Sequence, residues 1–181
     1  GRLHHLVGVA VPEQRSDGTV SAVLSIVRDV TQEKQRQMEL RASEERLRLA
    51  ADAGRVGLWE WEVTEDIVRW SDRVYELHGV SPEEFGGTSA DFFEVVHCDD
   101  RELVASALER ALRKEHEFAV EFRTVRPDNT LRWVAARAGV IFSDAGVPLR
   151  VLGTSVDITE RRNADEALRR LVVQHDLVIG L

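Results

Sequence analysis

At 181 residues the chain has length for one or two domains, and a hydrophobic content of 43% is ample for a packed core. A formal charge of −8 and a pI near 5.3 argue against a nucleic-acid surface or a basic membrane-binding face, since both need clustered Lys and Arg. The single cysteine, Cys98, excludes an internal disulfide and fits a reducing cytosol, and no apolar run approaches the roughly 20 residues that span a bilayer.

In chain order, Leu3 to Val11 and Thr19 to Val27 are β-rich runs separated by Arg-Ser-Asp-Gly, a turn signal, and predict a hairpin. A hairpin alone is marginal, so it needs a partner. Thr31 to about Ala53 is built from Glu, Arg, Gln, Leu and Ala and predicts a helix roughly 30 Å long. Gly57 to Val63 alternates, with Trp59, Trp61 and Val63 on one face and Glu60 and Glu62 on the other, which predicts a half-buried strand. Ile67 to Trp70 reads as its hairpin partner. Ser81-Pro82-Glu83-Glu84 carries the signals of a helix start, and Asp99 with Glu102 opens a longer amphipathic helix bearing Leu103, Leu108 and Leu112. Strands follow at Glu117 to Val125, Leu131 to Phe142 and Pro148 to Val156, and a closing helix ends the chain. The order β-β-α-α-α-β-β-β predicts an α+β domain on an antiparallel sheet.

An internal repeat organises these elements. Val27 to Glu33 (V-R-D-V-T-Q-E) returns as Ser155 to Arg161 (S-V-D-I-T-E-R), so Asp29 meets Asp157 at an offset of 128 residues. Without a gap, Leu3 meets Leu131, Ala10 meets Ala138, Gly18 meets Gly146, and Leu40 meets Leu168. A repeat decides what counts as one domain. It divides the chain into residues 1–28 as the last two strands of an upstream copy, 29–53 as a helical linker, 54–158 as a complete domain and 159–181 as a C-terminal helix. Modules joined by helices suit the relay of a conformational signal better than turnover.

Gly57 to Val63, Arg69 to Phe85, Phe92 to Arg101, Val120 to Val134 and Gly153 to Arg161 together resemble a PAS sensor domain of the bacterial signalling type. The resemblance covers about residues 43–162. It implies the PAS fold, a five-stranded antiparallel sheet with helices over one face around a small pocket. It also implies a signalling helix after Asp157-Ile158-Thr159, a homodimer formed through helices and sheet faces, and an output domain of histidine-kinase or diguanylate-cyclase type in the same protein. Cys98 stands where the family usually has proline, and Asn129 where it usually has glycine.

Alternation along Glu117 to Val125 puts Phe118, Val120 and Phe122 inward, opposite Glu121 and Arg123, and these three with Trp133 are the ligand-pocket candidates. A natural ligand is then small and mostly apolar. Core packing is the plainer role for Trp59, Trp61, Trp70 and Trp133. Neither haem nor a cysteinyl-flavin is expected, and the cofactor stays unidentified. Cys98 lies in His-Cys-Asp-Asp, unlike the Asn-Cys-Arg-Phe of light-sensing relatives. Of the six histidines only His116 lies near the long helix, at its charged end. His97 is read as a structural turn histidine, adjacent His4 and His5 point to opposite faces, and no zinc-like spacing is present. No catalytic set or phosphate loop is legible.

Asp157, Ile158 and Thr159 are the candidate transmission joint, with Asp157 to Glu160 and Asp29 to Gln32 spaced as capping pairs; the resemblance suggests Trp133 or an arginine on a neighbouring strand as the joint's partner. Ala164, Leu168, Leu171, His175 and Val178 step as a coiled-coil seam. Carried back by the repeat, that seam gives Arg36, Leu40, Ser43, Leu47 and Ala50, too polar and short for a strong coiled coil. His175-Asp176 faintly resembles a kinase phosphoacceptor. The reading is a non-catalytic, cytoplasmic sensory module; the alternatives are a kinase segment with His175 as phosphoacceptor and a ligand-free dimerisation module.

Overall fold

The computed structural model describes residues 4–179 apart from 15, 17 and 19, with no side-chain placement for 14, 21 and 172–179. The chain falls into two compact units, Gly1–Ala50 and Ala51–Leu181.

In the first unit, β1 (Leu6–Gln14) and β2 (Val20–Asp29) form an antiparallel hairpin that runs into helix α1 (Thr31–Ala53). Leu3, Arg15 and Asp17, which belong to the expected strand and turn, lie outside the described residues. The pairing runs from Leu6 opposite Asp29 to Gln14 opposite Val20, with an irregularity between Glu13 and Gln14. Its apolar side chains are exposed on both faces, among them Leu6, Val9, Val11, Val23, Leu24 and Ile26.

The second unit is an antiparallel sheet in the order β4-β3-β7-β6-β5. Its strands are β3 (Gly57–Glu62), β4 (Ile67–Trp70), β5 (Phe118–Val125), β6 (Leu131–Phe142) and β7 (Pro148–Asp157). Between β4 and β5 the chain forms α2 (Asp72–His78), α3 (Ser89–Val95), a 3-10 turn (Cys98–Asp100) and α4 (Arg101–Leu112), and α5 (Thr159–Ile179) leaves the last strand. This is the expected α+β architecture. The β6–β7 register runs from Val134 opposite Asp157 to Phe142 opposite Pro148, irregular between Ile141 and Phe142. Shifted by 128 residues, every one of those four positions falls on its β1–β2 counterpart, so the repeat extends to strand pairing.

The inner sheet face packs with the helices into a core of Leu77, Val96, Val104, Ala111, Phe118, Val120, Phe122, Val134 and Ala136. Close approach is built in at two glycines. A Cβ on Gly57 would stand 2.5 Å from a Val74 methyl, which lets α2 sit against β3, and one on Gly153 would stand 2.2 Å from the Trp59 ring. The 3-10 turn is tied to β5 where the Arg123 amide and guanidinium donate to the Asp100 carboxylate at 2.7 and 2.9 Å. Arg123 thereby holds the Asp100 carboxyl below its ordinary range.

Two helix expectations are corrected. Ser81 to Glu84 closes a turn, in which the Ser81 amide donates to the Glu84 carboxylate and the Phe85 amide to the Ser81 carbonyl. Gly86-Gly87 follow too soon for a helix, which starts only at the Thr88–Asp91 capping box of α3. On α4 the buried residues are Val104 and Ala111, while Leu103 is exposed. The small Ala111 lets the helix lie close to the sheet.

Gly153→Ala should destabilise the second unit by about 1–3 kcal/mol, because Trp59 must leave its rotamer and lose its edge contact with Phe118. Urea unfolding of the variant, with tryptophan fluorescence as the signal, measures it.

Candidate functional site

Between the inner sheet face and the helices lies a cavity of about 40 Å³. Trp59, Trp61, Val68, Trp70, Phe118, Phe122, Ala136 and Ser155 form its sheet wall, and Val74, His78, Ser89, Phe92, Phe93 and Leu108 close it from the helices. The lining is mostly aromatic, and its rings hold one another edge to face. Trp59 meets Phe118, and Phe92 meets Phe122, each with centroids 5.9 Å apart. Trp61 places its indole N–H on the Asp66 carboxylate at 2.8 Å, so its one polar atom is satisfied away from the cavity.

Phe118 and Phe122 are buried and line this cavity. Val120 is buried on the same face of β5 and belongs to the core without lining the cavity. Trp133 is a correction. Val134 and Ala136 are the inward residues of β6, so Trp133 takes the opposite face, where the guanidinium of Arg162 lies 4.6 Å from its ring centroid and that of Arg123 5.7 Å. It cannot be a pocket residue.

His78, passed over by the sequence reading, is the most buried polar group of the lining at 1% exposure. It sits in the last turn of α2, which Gly79 closes in the left-handed conformation (φ 72°). One face of its ring stacks on Trp70, with centroids 4.8 Å apart, and Nδ1 lies 2.7 Å from the Thr124 hydroxyl. The Thr124 hydroxyl itself donates to the Val95 carbonyl at 2.9 Å. Burial, with the Arg126 charge in support, pushes the His78 pKa down to about 3. The ring is therefore neutral at physiological pH.

Among the described side chains of the second unit, no other histidine lines the cavity. His116 is exposed beyond the end of α4. His97 accepts the Asp99 amide at 3.3 Å, a turn role. The donor atoms of His97, Cys98 and Asp99 lie within 4.8 Å of one another. His97 is engaged by that amide, however, and Asp99 faces Arg123 at 3.4 Å. The side chains of His175 and Val178 lie outside the described residues; Leu168 and Leu171 of the expected seam are exposed.

At the exit to α5, the Trp133 amide donates to the Thr159 hydroxyl at 2.9 Å, the Ile158 amide to the Trp133 carbonyl at 2.8 Å, and the Thr159 amide to the Asp157 carboxylate at 2.9 Å. The buried Ile158 anchors the turn, and Arg132 lies 3.9 Å from Asp157. The same bonds recur in the first unit. His5 donates to the Thr31 hydroxyl at 2.7 Å, Val30 to the His5 carbonyl at 2.8 Å, and Thr31 to Asp29 at 2.9 Å. The aspartates thus close an Asx turn over two residues. The expected capping pairs with Glu160 and Gln32 do not form among the described residues. A further tie was not anticipated: Arg161 and Arg162, in the first turn of α5, both donate to Glu121 of β5, Arg161 at 2.7 Å.

A family model described as PAS fold matches residues 67–155. A sensory box histidine kinase/response regulator from Burkholderia thailandensis superposes with a TM-score of 0.63 at 28% identity, over 75% of this chain and 99% of that one. The chain carries a PAS domain. A domain of a putative light and redox sensing histidine kinase from Haloarcula marismortui superposes on it with a TM-score of 0.52 at 28% identity, over 64% and 99% of the two chains. The chain is 29% identical over 155 residues to the probable diguanylate cyclase DgcE of Escherichia coli (86% of this chain, 14% of that protein). It is 32% identical over 126 residues to the sensor protein FixL of Bradyrhizobium diazoefficiens (69% and 25%). The chain thus spans a quarter or less of these curated relatives, and what it shares with them is a PAS module for sensory signalling. No helix among the described residues is long and apolar enough to cross a membrane. Asn129, at the family's usual glycine position, has φ 61°, a left-handed turn geometry that asparagine tolerates better than most residues.

His78 makes the stability of the PAS domain pH-dependent. Its folded pKa is depressed, so as the pH falls below about 6.5 the unfolded chain takes up a proton that the folded domain refuses until about pH 3. Stability should fall by up to about 1.4 kcal/mol per pH unit between pH 6 and 4.5, above the main carboxylate range. Chemical unfolding at several pH values should show this slope and its loss in His78→Gln.

Proposed function

We propose that this chain is a cytoplasmic sensory and regulatory module that itself performs no catalysis. It binds a small, mostly apolar molecule in the cavity, or takes up the state of a neighbouring module, and passes the change through α5. The receiver is an output domain of histidine-kinase or diguanylate-cyclase type in the same protein, and the unit works as a homodimer through its helices and sheet faces. Residues 1–28 are the last two strands of an upstream PAS copy, 29–53 the helical linker, 54–158 the complete domain, and 159–181 the signalling helix. The shared strand register and shared exit hydrogen bonds of the two units support that division. The nature of DgcE and FixL supports the choice of output.

One observation carries the relay. On β5, Phe122 faces the cavity while the adjacent Glu121 faces outward and is held by Arg161 and Arg162. A molecule that moves the Phe122 ring tilts β5, and the same tilt pulls on the first turn of α5. Asp157, Ile158 and Thr159 hold that turn to β6, so the helix rotates about a fixed point.

Native mass spectrometry of protein purified under mild conditions should show a copurified small molecule on the chain; a bare mass in every preparation favours a spacer instead. In the full-length protein, Glu121→Gln should leave the fold intact, since half-exposed ion pairs are each worth about 0–1 kcal/mol. Its output should nonetheless stop following its input. Asp157→Ala should add a loss of about 0.5–2 kcal/mol, of the size of a helix cap. Output measured in both variants at normal amplitude would remove the relay and leave only structural ties.

A further inference from the structure

Every polar atom around His78 can be assigned a direction. The Thr124 hydroxyl has one proton, and it goes to the Val95 carbonyl at 2.9 Å. That carbonyl ends α3. If the Thr124 proton went to His78 instead, two oxygens would face each other at 2.9 Å with no proton between them. The 2.7 Å contact between Nδ1 and the Thr124 oxygen therefore needs its proton from the imidazole. With Nδ1 protonated and the ring neutral, Nε2 is a bare lone pair.

Nε2 has no hydrogen-bond partner in the protein among the described residues, where the one fully enclosed, unpartnered side-chain nitrogen or oxygen is Nε of Arg162. Nε2 of His78 must therefore open onto free space. Since the residue is 1% exposed and lines the cavity, that space is the cavity. A buried acceptor without a donor is destabilising, and a molecule that brings a donor relieves it.

Building on the sensory reading above, we infer that His78 Nε2 is the polar anchor of the cavity, accepting a hydrogen bond from a small neutral ligand with one hydroxyl or N–H donor on a mostly apolar body. Trp70 and Phe92 position the imidazole by stacking and edge contact, with centroids at 4.8 and 6.4 Å. Apolar walls from Trp59, Phe118 and Phe122 take the rest of the molecule. At about 40 Å³ the cavity as it stands holds a few heavy atoms; a single ring must push its walls apart, and a porphyrin or a flavin ring system is far too large. Anions are disfavoured, because the bare Nε2 lone pair repels a carboxylate or phosphate oxygen.

Phenol, anisole and toluene test this on the full chain. They share a ring, and phenol alone offers a donor. Titrations followed by amide correlation spectra should show phenol binding about tenfold tighter than either analogue, with the His78 Nε2 nitrogen resonance moving on phenol addition alone. His78→Phe keeps the ring stack on Trp70 and leaves the Thr124 bond to Val95 in place; it should bring phenol down to the level of toluene. Should that variant fail to fold, the imidazole nitrogen spectrum of the unliganded wild-type protein decides, since a proton on Nε2 there overturns the inference. Equal affinity for phenol and toluene in the wild type also overturns it and leaves the sensor pocket standing. A phenol preference that survives His78→Phe assigns the acceptor to another group, such as Ser155, and overturns it as well. Failure of all three probes at their solubility limits, together with failure of ethanol, which is small enough for the cavity as it stands, removes the ligand-pocket reading itself, and this inference with it.

Discussion

Period-two alternation along β5 places the cavity and the helix anchor on opposite sides of one strand. Phe118, Val120, Phe122 and Thr124 are buried on the inner face, and Glu121 and Arg123 lie on the outer one. Neighbouring residues of a strand cannot both face the core. A side chain that lines the cavity and a side chain that holds the exit helix can therefore be consecutive. The proposed coupling then needs only a small tilt of β5, because the Phe122 and Glu121 backbones share a peptide unit. The inner face does a second job through Thr124, whose hydroxyl bonds both the end of α3 and the His78 imidazole.

The outer face of the sheet is organised just as tightly. Arg123 holds Asp100 on one side and lies near the Trp133 ring on the other, while Arg162 covers that ring and reaches Glu121. The buried Nε of Arg162 lacks a conventional acceptor, and the neighbouring ring electrons of Trp133 compensate part of that loss. Trp133 thus belongs to the joint, as a platform beneath the first turn of α5, and its own backbone amide and carbonyl complete the bonds to Thr159 and Ile158.

Much of this was legible where a strand alternates cleanly between apolar and charged residues. Glu117 to Val125 and Gly57 to Val63 do so, and their inward residues are where the pattern puts them. Leu131 to Phe142 does not. With apolar residues on both parities of L-R-W-V-A-A-R-A-G-V-I-F, size drew Trp133 inward by default, although Val134 and Ala136 are the residues that fill the core. Leu103 misled for a similar reason: on α4 the close sheet contact needs the small Ala111 and the slim Val104, so the larger leucine stays outside. His78 carried no local signal at all. Its burial depends on Trp70, Phe92 and Thr124, the last of these 46 residues away, and no periodicity within a seven-residue helix could register them.

The first unit shows what the repeat preserves and what it leaves free. The exit bonds and strand register match those of the second unit, yet the side chains on the hairpin differ: Val9 stands where Arg137 does, and Ile26 where Thr154 does. A backbone-to-backbone and Thr-to-backbone joint is indifferent to those changes, because its geometry is fixed by an Asx turn and two strand hydrogen bonds. Side chains on the sheet faces are then free to diverge with the neighbours that each copy meets. The charged partner of the aspartate diverges too, as His4 at 3.0 Å from Asp29 and as Arg132 at 3.9 Å from Asp157. A guanidinium presents a planar fork of donors to a carboxylate and an imidazole a single ring nitrogen. The two joints, alike in their backbone bonds, therefore differ in how many side-chain bonds can hold the aspartate.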